Sequence, residues 1–165
     1  MNPTDVDYLK MAYEAARRSP DPSTQNGAVI PYEACGQINA LSACNEFPEN
    51  VELTEERLVR PLKYNFIEHA ERNVIYLGAK YGIALAGKTM YVPWFACSDC
   101  ARGIICSGIK RVCGHKRMLD ATPPHWKESI AHAMTMLKEA GIEMDLIEEK
   151  LNIEPIKFNG ELWVP

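Results

Sequence analysis

Two short segments, His69-Ala70-Glu71 and Cys97-Ser98-Asp99-Cys100, constrain this chain more than any other part of it. One imidazole and two thiolates form a ligand set suited to zinc (Zn2+), because sulfur donors disfavour hard cations such as magnesium, which prefer oxygen. The segments are separated by enough chain for one helix and one strand, so any fold that uses them must bring distant backbone to a single point. Three protein ligands leave a fourth tetrahedral position for water, as in a catalytic site, whereas a structural zinc is usually closed by four. Glu71 is then left over as a carboxylate for proton transfer.

The surrounding sequence supplies elements able to do this. Asp5 to Arg18 carries apolar residues at an approximate helical repeat, with Thr4 or Asp5 as cap. Ser19-Pro20-Asp21-Pro22 breaks that helix. Gly27 to Tyr32 and Ile38 to Ala43 read as an antiparallel hairpin, and Asn45 to Arg60 as a long loop with one helical turn near Thr54 to Leu58. Helices are expected from His69 to about Tyr81, Ser98 to Ser107 and Trp126 to Ala140, the last ended by Gly141. Strands are expected at Thr89 to Val92, Arg111 to Cys113 and Ile142 to Ile147. This alternation predicts an α/β chain with a mixed sheet covered by helices on both faces.

A chain of 165 residues with 47% hydrophobic residues is the size of one domain, so residues 1–165 are expected to form a single catalytic unit. Its formal charge of −4 gives no general attraction to long nucleic acid, while a small anionic substrate would need only a local cluster of cations. The amino terminus lacks a secretory pattern and no apolar run is long enough to span a bilayer, so a cytoplasmic protein without membrane association is expected. Cys35, Cys44, Cys106 and Cys113 lie in or beside apolar segments and are expected to be buried free thiols.

Cys97 and Cys100 open one predicted helix and His69 another, where free N–H groups and the positive end of the dipole favour thiolates. Zinc can lower the pKa of bound water to about 7, which makes hydroxide available at neutral pH. Glu71, two residues beyond His69, is placed to accept that proton and return it to a substrate nitrogen. A lone Cys-x-x-Cys could be a redox pair or half of a zinc knuckle. The combination with His69 and Glu71 argues against both.

These motifs resemble the cytidine and deoxycytidylate deaminase superfamily, whose signature is His-x-Glu followed by Pro-Cys-x-x-Cys. Further segments resemble the deoxycytidylate branch: Asp21-Pro22-Ser23-Thr24-Gln25-Asn26-Gly27, Ala43-Cys44-Asn45-Glu46-Phe47-Pro48, Lys63-Tyr64 ahead of His69, and Ser107-Gly108-Ile109-Lys110-Arg111-Val112. The resemblance implies a three-layer fold with a five-stranded mixed sheet between helices. It implies hydrolysis of dCMP to dUMP with release of ammonia, with His69, Cys97 and Cys100 as metal ligands and Glu71 as proton shuttle. Asn45, Ala70, Phe95 and Arg117 are the candidate substrate-binding residues, Asn45 for sugar or phosphate and Arg117 for phosphate. A homo-oligomer, hexamer or dimer, is also implied.

The chain departs from the family pattern at Ala96, where proline is usual, and at Ala43 and Glu46, which replace glycines of the substrate loop. Glu46 beside a phosphate would be repulsive, so it is expected to turn to solvent or to mark a substrate other than plain dCMP. Pro93 and Trp94 precede Phe95 at the strand exit, where an aromatic either lines the base pocket or packs. The competing readings are a deaminase of another cytosine nucleotide or modified dCMP, and a catalytically inactive, zinc-stabilised binding domain.

Overall fold

A computed structural model describes residues 3–165. Helix α1 (Asp5–Ala16) begins with a capping box in which Thr4 accepts from the Asp7 N–H and the Asp7 side chain accepts from the Thr4 N–H. Strands β1 (Gly27–Ala34) and β2 (Gln37–Cys44) form the expected hairpin. Its two-residue turn, Cys35-Gly36, takes positive φ at both positions. After two 3-10 turns, Glu56–Leu58 and Leu62–Asn65, come α2 (Ala70–Tyr81), β3 (Thr89–Val92), α3 (Ser98–Cys106) and β4 (Arg111–His115). Then follow α4 (Lys116–Asp120), α5 (Pro124–Glu139) and β5 (Glu143–Ile147), and a small terminal hairpin of β6 (Ile156–Phe158) and β7 (Glu161–Trp163).

The five-stranded sheet has the order β2-β1-β3-β4-β5. β1 is antiparallel to both β2 and β3, whereas β3, β4 and β5 are mutually parallel in sequence. Side-chain alternation along the central strands divides the interior into two layers. Ala28, Ile30, Met90, Val92 and Val112 point toward the main core, which includes Val74 of α2, Ile104 of α3 and Leu137 of α5. Val29, Tyr91 and Cys113 point to the opposite face, where Tyr8 and Ala12 of α1 cover them. The expected mixed sheet between helices is therefore present, with α2, α3 and α5 on one side and α1 on the other.

Gly27 marks the closest approach of α1 to the sheet: a Cβ there would lie 2.1 Å from the Ala12 carbonyl oxygen and 2.6 Å from the Ala16 nitrogen. A third cluster joins Leu9 and Tyr13 of α1 to Met118, Leu151, Ile156 and Phe158, so the chain after β5 folds back over the α1 face. His115 is buried in this region, with Nδ1 2.6 Å from the Tyr13 hydroxyl and Nε2 3.1 Å from the Glu149 carbonyl. Cys44 and Cys113 are buried free thiols, but Cys35 and Cys106 are exposed, one in the hairpin turn and one on the last turn of α3.

Candidate active site

The two ligand segments are both strand-to-helix or loop-to-helix junctions on the same side of the sheet. His69 is the N-cap of α2, with φ −74° and ψ 146°, and Cys97 is the N-cap of α3, with φ −77° and ψ 173°. Neither side chain caps its own helix, so both are free for another partner. Cys100 lies one turn into α3 and is fully buried. Cys97 Sγ and Cys100 Sγ are 3.6 Å apart, and they stand 3.6 and 3.5 Å from His69 Nδ1.

These separations test whether zinc fits. Zn–S bonds of about 2.3 Å and Zn–N of about 2.05 Å at tetrahedral angles require roughly 3.8 Å between sulfurs and 3.6 Å between sulfur and nitrogen. The observed triangle differs from one face of that tetrahedron by about 0.2 Å or less. Among the described residues, His69, Cys97 and Cys100 are the group of potential ligands that converges in this way. The fourth vertex is left to a non-protein ligand.

Glu71 is 2% exposed, and its Oε2 has no hydrogen-bond partner. Burial in this low-dielectric position lifts its carboxyl to about 7, against the favourable field of His69. A buried, unpartnered carboxyl beside a three-ligand metal cluster is costly unless water or substrate completes its bonds. Cys97 is pulled down to about 4, chiefly by the hydrogen bond from Cys100 and despite burial, with His69 adding to the effect. Arg72 extends from the same turn as Glu71 and is paired with Glu68, with Asp99 at 3.6 Å.

The cluster and Glu71 open into a cleft of about 200 Å³. Trp94 and Phe95 from the β3 exit, Trp126 of α5 and Tyr64 of the second 3-10 turn supply its aromatic wall. Trp126 is edge-on to Trp94 at 5.7 Å between centroids, and 6.1 Å from the His69 ring. Asn26 holds the Trp94 backbone through paired bonds of 3.1 Å, accepting its N–H and donating to its carbonyl. Asn45 also lines the cleft, and both ends of its amide are engaged: Oδ1 accepts from the Ala70 N–H at 2.9 Å and Nδ2 donates to the Thr24 carbonyl at 3.1 Å. Asn45 therefore ties the substrate loop to the first turn of the metal helix.

Of the residues singled out in the sequence, His69, Glu71, Cys97, Asn45 and Phe95 line the cleft, and Cys100 completes the ligand triangle from beneath. Ala70 does not reach it. Its methyl is in the core and its N–H is spent on Asn45. Arg117 is also elsewhere: β4 runs on through His115 and passes directly into α4, which carries Arg117 away to the terminal hairpin. There its guanidinium lies 5.5 Å over the Trp163 ring and donates to the Val164 carbonyl. The expected phosphate contact from Arg117 is thus corrected by the continuation of β4.

Glu46 is turned from the cleft, with Oε1 accepting from Asn73 Nδ2 at 2.8 Å. Among the cleft-lining side chains that the sequence did not mark as site residues are Asp21, Arg60, Lys63 and Trp126. Lys63 and Asp21 had been visible only as parts of longer resembling segments.

A family model described as the cytidine and deoxycytidylate deaminase zinc-binding region matches residues 2–116. Deoxycytidylate deaminase of Mus musculus is 31% identical over 158 residues, covering 93% of this chain and 84% of that enzyme. An uncharacterised deaminase of the luxG 3′ region of Aliivibrio fischeri is 32% identical over 137 residues, covering 83% of this chain and 88% of that protein. Deoxycytidylate deaminase of phage T2 is 39% identical over 94 residues, but this chain spans only 45% of its length. The apo dCMP deaminase of cyanophage S-TIM5 superimposes with a TM-score of 0.63 over 89% of this chain and 100% of that one, at 21% identity, which establishes the shared fold.

The fold and the His-Cys-Cys-Glu site define a zinc-type deaminase scaffold. The chain belongs to the cytidine and deoxycytidylate deaminase family.

Proposed function

We propose that this protein hydrolyses the exocyclic amino group of dCMP, giving dUMP and ammonia. The observation that carries the reading is Glu71, buried with an unpartnered Oε2 and a carboxyl lifted to about 7, next to a ligand triangle with one open vertex. The relatives named as deoxycytidylate deaminases support the choice of substrate. So does the cyanophage enzyme solved with dCMP and dUMP, which is 22% identical to this chain.

His69, Cys97 and Cys100 would hold zinc, which when bound supplies the Lewis acidity that makes water nucleophilic near neutral pH. Glu71 takes a proton from the attacking water and delivers it to the ring nitrogen beside the reacting carbon, then carries the second proton of that water to the departing amine. Its proton affinity near neutrality suits transfer in both directions. Burial by Phe95, Trp94 and Trp126 excludes bulk water around the base, and the Asn45 bridge to Ala70 keeps the substrate loop registered against the carboxylate. Deaminase action on a cytoplasmic nucleotide pool, as a homo-oligomer of dimer or hexamer type, completes the reading. The oligomeric state rests on the resemblance of the motifs.

The test is ammonia release, with chromatography of products, from dCMP, dCTP, cytidine, deoxycytidine and the 5-methyl and 5-hydroxymethyl forms of dCMP. Wild-type protein is expected to prefer a deoxycytidine monophosphate. Glu71→Gln is expected to retain stoichiometric zinc and to lose turnover by roughly 10²- to 10⁴-fold. Faster turnover of the nucleoside would overturn the substrate, a near wild-type rate in Glu71→Gln the mechanism. Full zinc with no deamination of any cytosine nucleotide would favour a binding domain.

A further inference from the structure

Three arginine or lysine side chains line the cleft: Arg60, Lys63 and Arg72. Two are already matched by carboxylates. Lys63 Nζ is 2.8 Å from both oxygens of Asp21, and Arg72 is paired with Glu68 and faces Asp99. Arg60 has no carboxylate within ion-pair distance among the described residues. Its Nη2 donates to Ser23 Oγ at 2.8 Å, and the residue is exposed.

We propose that Arg60 is the residue that recognises the phosphate of the substrate, and that it makes this cleft a nucleotide site in preference to a nucleoside site. The inference rests on the deaminase reading for the identity of the base but not for the anion. A guanidinium carries five N–H donors in a planar fork suited to phosphate, and only one donor of Arg60 is in use. Binding an anion there breaks no ion pair. Lys63 is 5% exposed and its charge is already neutralised by Asp21, so a phosphate drawn to it would add a second anion to a buried, balanced pair. Arg72 follows Glu71 directly and is fixed between α2 and Asp99, at the metal end of the cleft, where the reacting base must sit.

Charge supports the same assignment. Asp21 is matched to Lys63, and Glu68 with Asp99 to Arg72, so Arg60 is the arginine or lysine of the lining that no carboxylate pairs. This also explains how a chain of formal charge −4 can admit an anionic substrate. The cation is local and lies on the cleft wall, as electrostatic focusing requires.

The test is isothermal titration calorimetry of the zinc-loaded protein with dUMP and with deoxyuridine, which differ by the phosphate. The readout is binding, so it stands whether or not ammonia is released from dCMP. Wild-type protein is expected to bind dUMP more tightly. Arg60→Gln should weaken dUMP by roughly 10- to 100-fold and deoxyuridine far less. Arg60→Lys should recover part of the loss, because it keeps the charge but not the fork. Arg117→Gln should leave the preference unchanged. Equal binding of the two ligands by wild type, equal losses in Arg60→Gln, or a larger loss in Arg117→Gln would each overturn the proposal.

Discussion

Replacing Asp21 by alanine removes the partner of a lysine that is almost wholly buried. The side chains of Lys63 and Asp21 are 5% and 4% exposed, and the ammonium sits 2.8 Å from each carboxylate oxygen. Asp21 Oδ1 also accepts from the N–H groups of Ser23 and Thr24, at 2.8 and 3.2 Å. Breaking a buried pair from one side costs about 3–5 kcal/mol, because the surviving charge is left desolvated. For 165 residues, an unfolding entropy near 0.35 kcal/mol per kelvin turns that into a fall in Tm of roughly 9–14 °C. Lys63→Met alone should cost less, since Asp21 keeps its two backbone donors. The double variant should recover much of the Asp21→Ala loss, giving a coupling of about 2 kcal/mol or more in a double-mutant cycle. Urea denaturation of the four proteins at constant zinc provides the measurement. A loss below about 1 kcal/mol for Asp21→Ala, or additivity within about 0.5 kcal/mol, would refute the idea that the pair is desolvated.

Burial raises the Glu71 carboxyl from 4.5 to about 7, so the folded state holds this proton more tightly than the unfolded chain. That contribution is fully present below 4.5 and is lost as pH rises through about 7. Metal-stripped wild type should therefore lose about 3 kcal/mol more stability between pH 4.5 and pH 8 than metal-stripped Glu71→Gln. Parallel losses in denaturant titrations of the two proteins would contradict it. Gly27→Ala would press a methyl group against the backbone of α1 and is expected to destabilise by about 3 kcal/mol. An unchanged thermal midpoint would show that α1 does not sit as described.

The metal ligands and Glu71 could be read directly because their chemistry is encoded in short spacings, and a helix begins at each segment. The sequence delimits β3 as Thr89 to Val92, the same residues that pair in the sheet, because a short apolar run buried on both faces is legible without knowledge of its neighbours. The terminal hairpin was missed although Asn159-Gly160, both at positive φ between alternating residues, carries a turn signal for one. Arg117 was misplaced because nothing in Gly114-His115-Lys116 shows that a strand passes into a helix without an intervening loop. Arg60, Lys63 and Asp21 illustrate a deeper limit. Which cation is matched and which is left free depends on pairings between residues some forty positions apart, and those exist only after folding.

The terminal hairpin has a bearing on the cleft that its distance along the chain conceals. Trp94 is held edge-on between Trp126 on the cleft side and Phe158 of β6, with centroids 5.7 and 5.1 Å away, and Phe158 in turn contacts Trp163. The zinc-binding region of the family model ends at residue 116, so this backing is supplied by chain outside that region. Substitutions in the tail can therefore reshape the base-facing wall while every ligand and the proton carrier stay untouched. That makes β6 and β7 a place where selectivity among related bases can drift, or be engineered, independently of the chemistry.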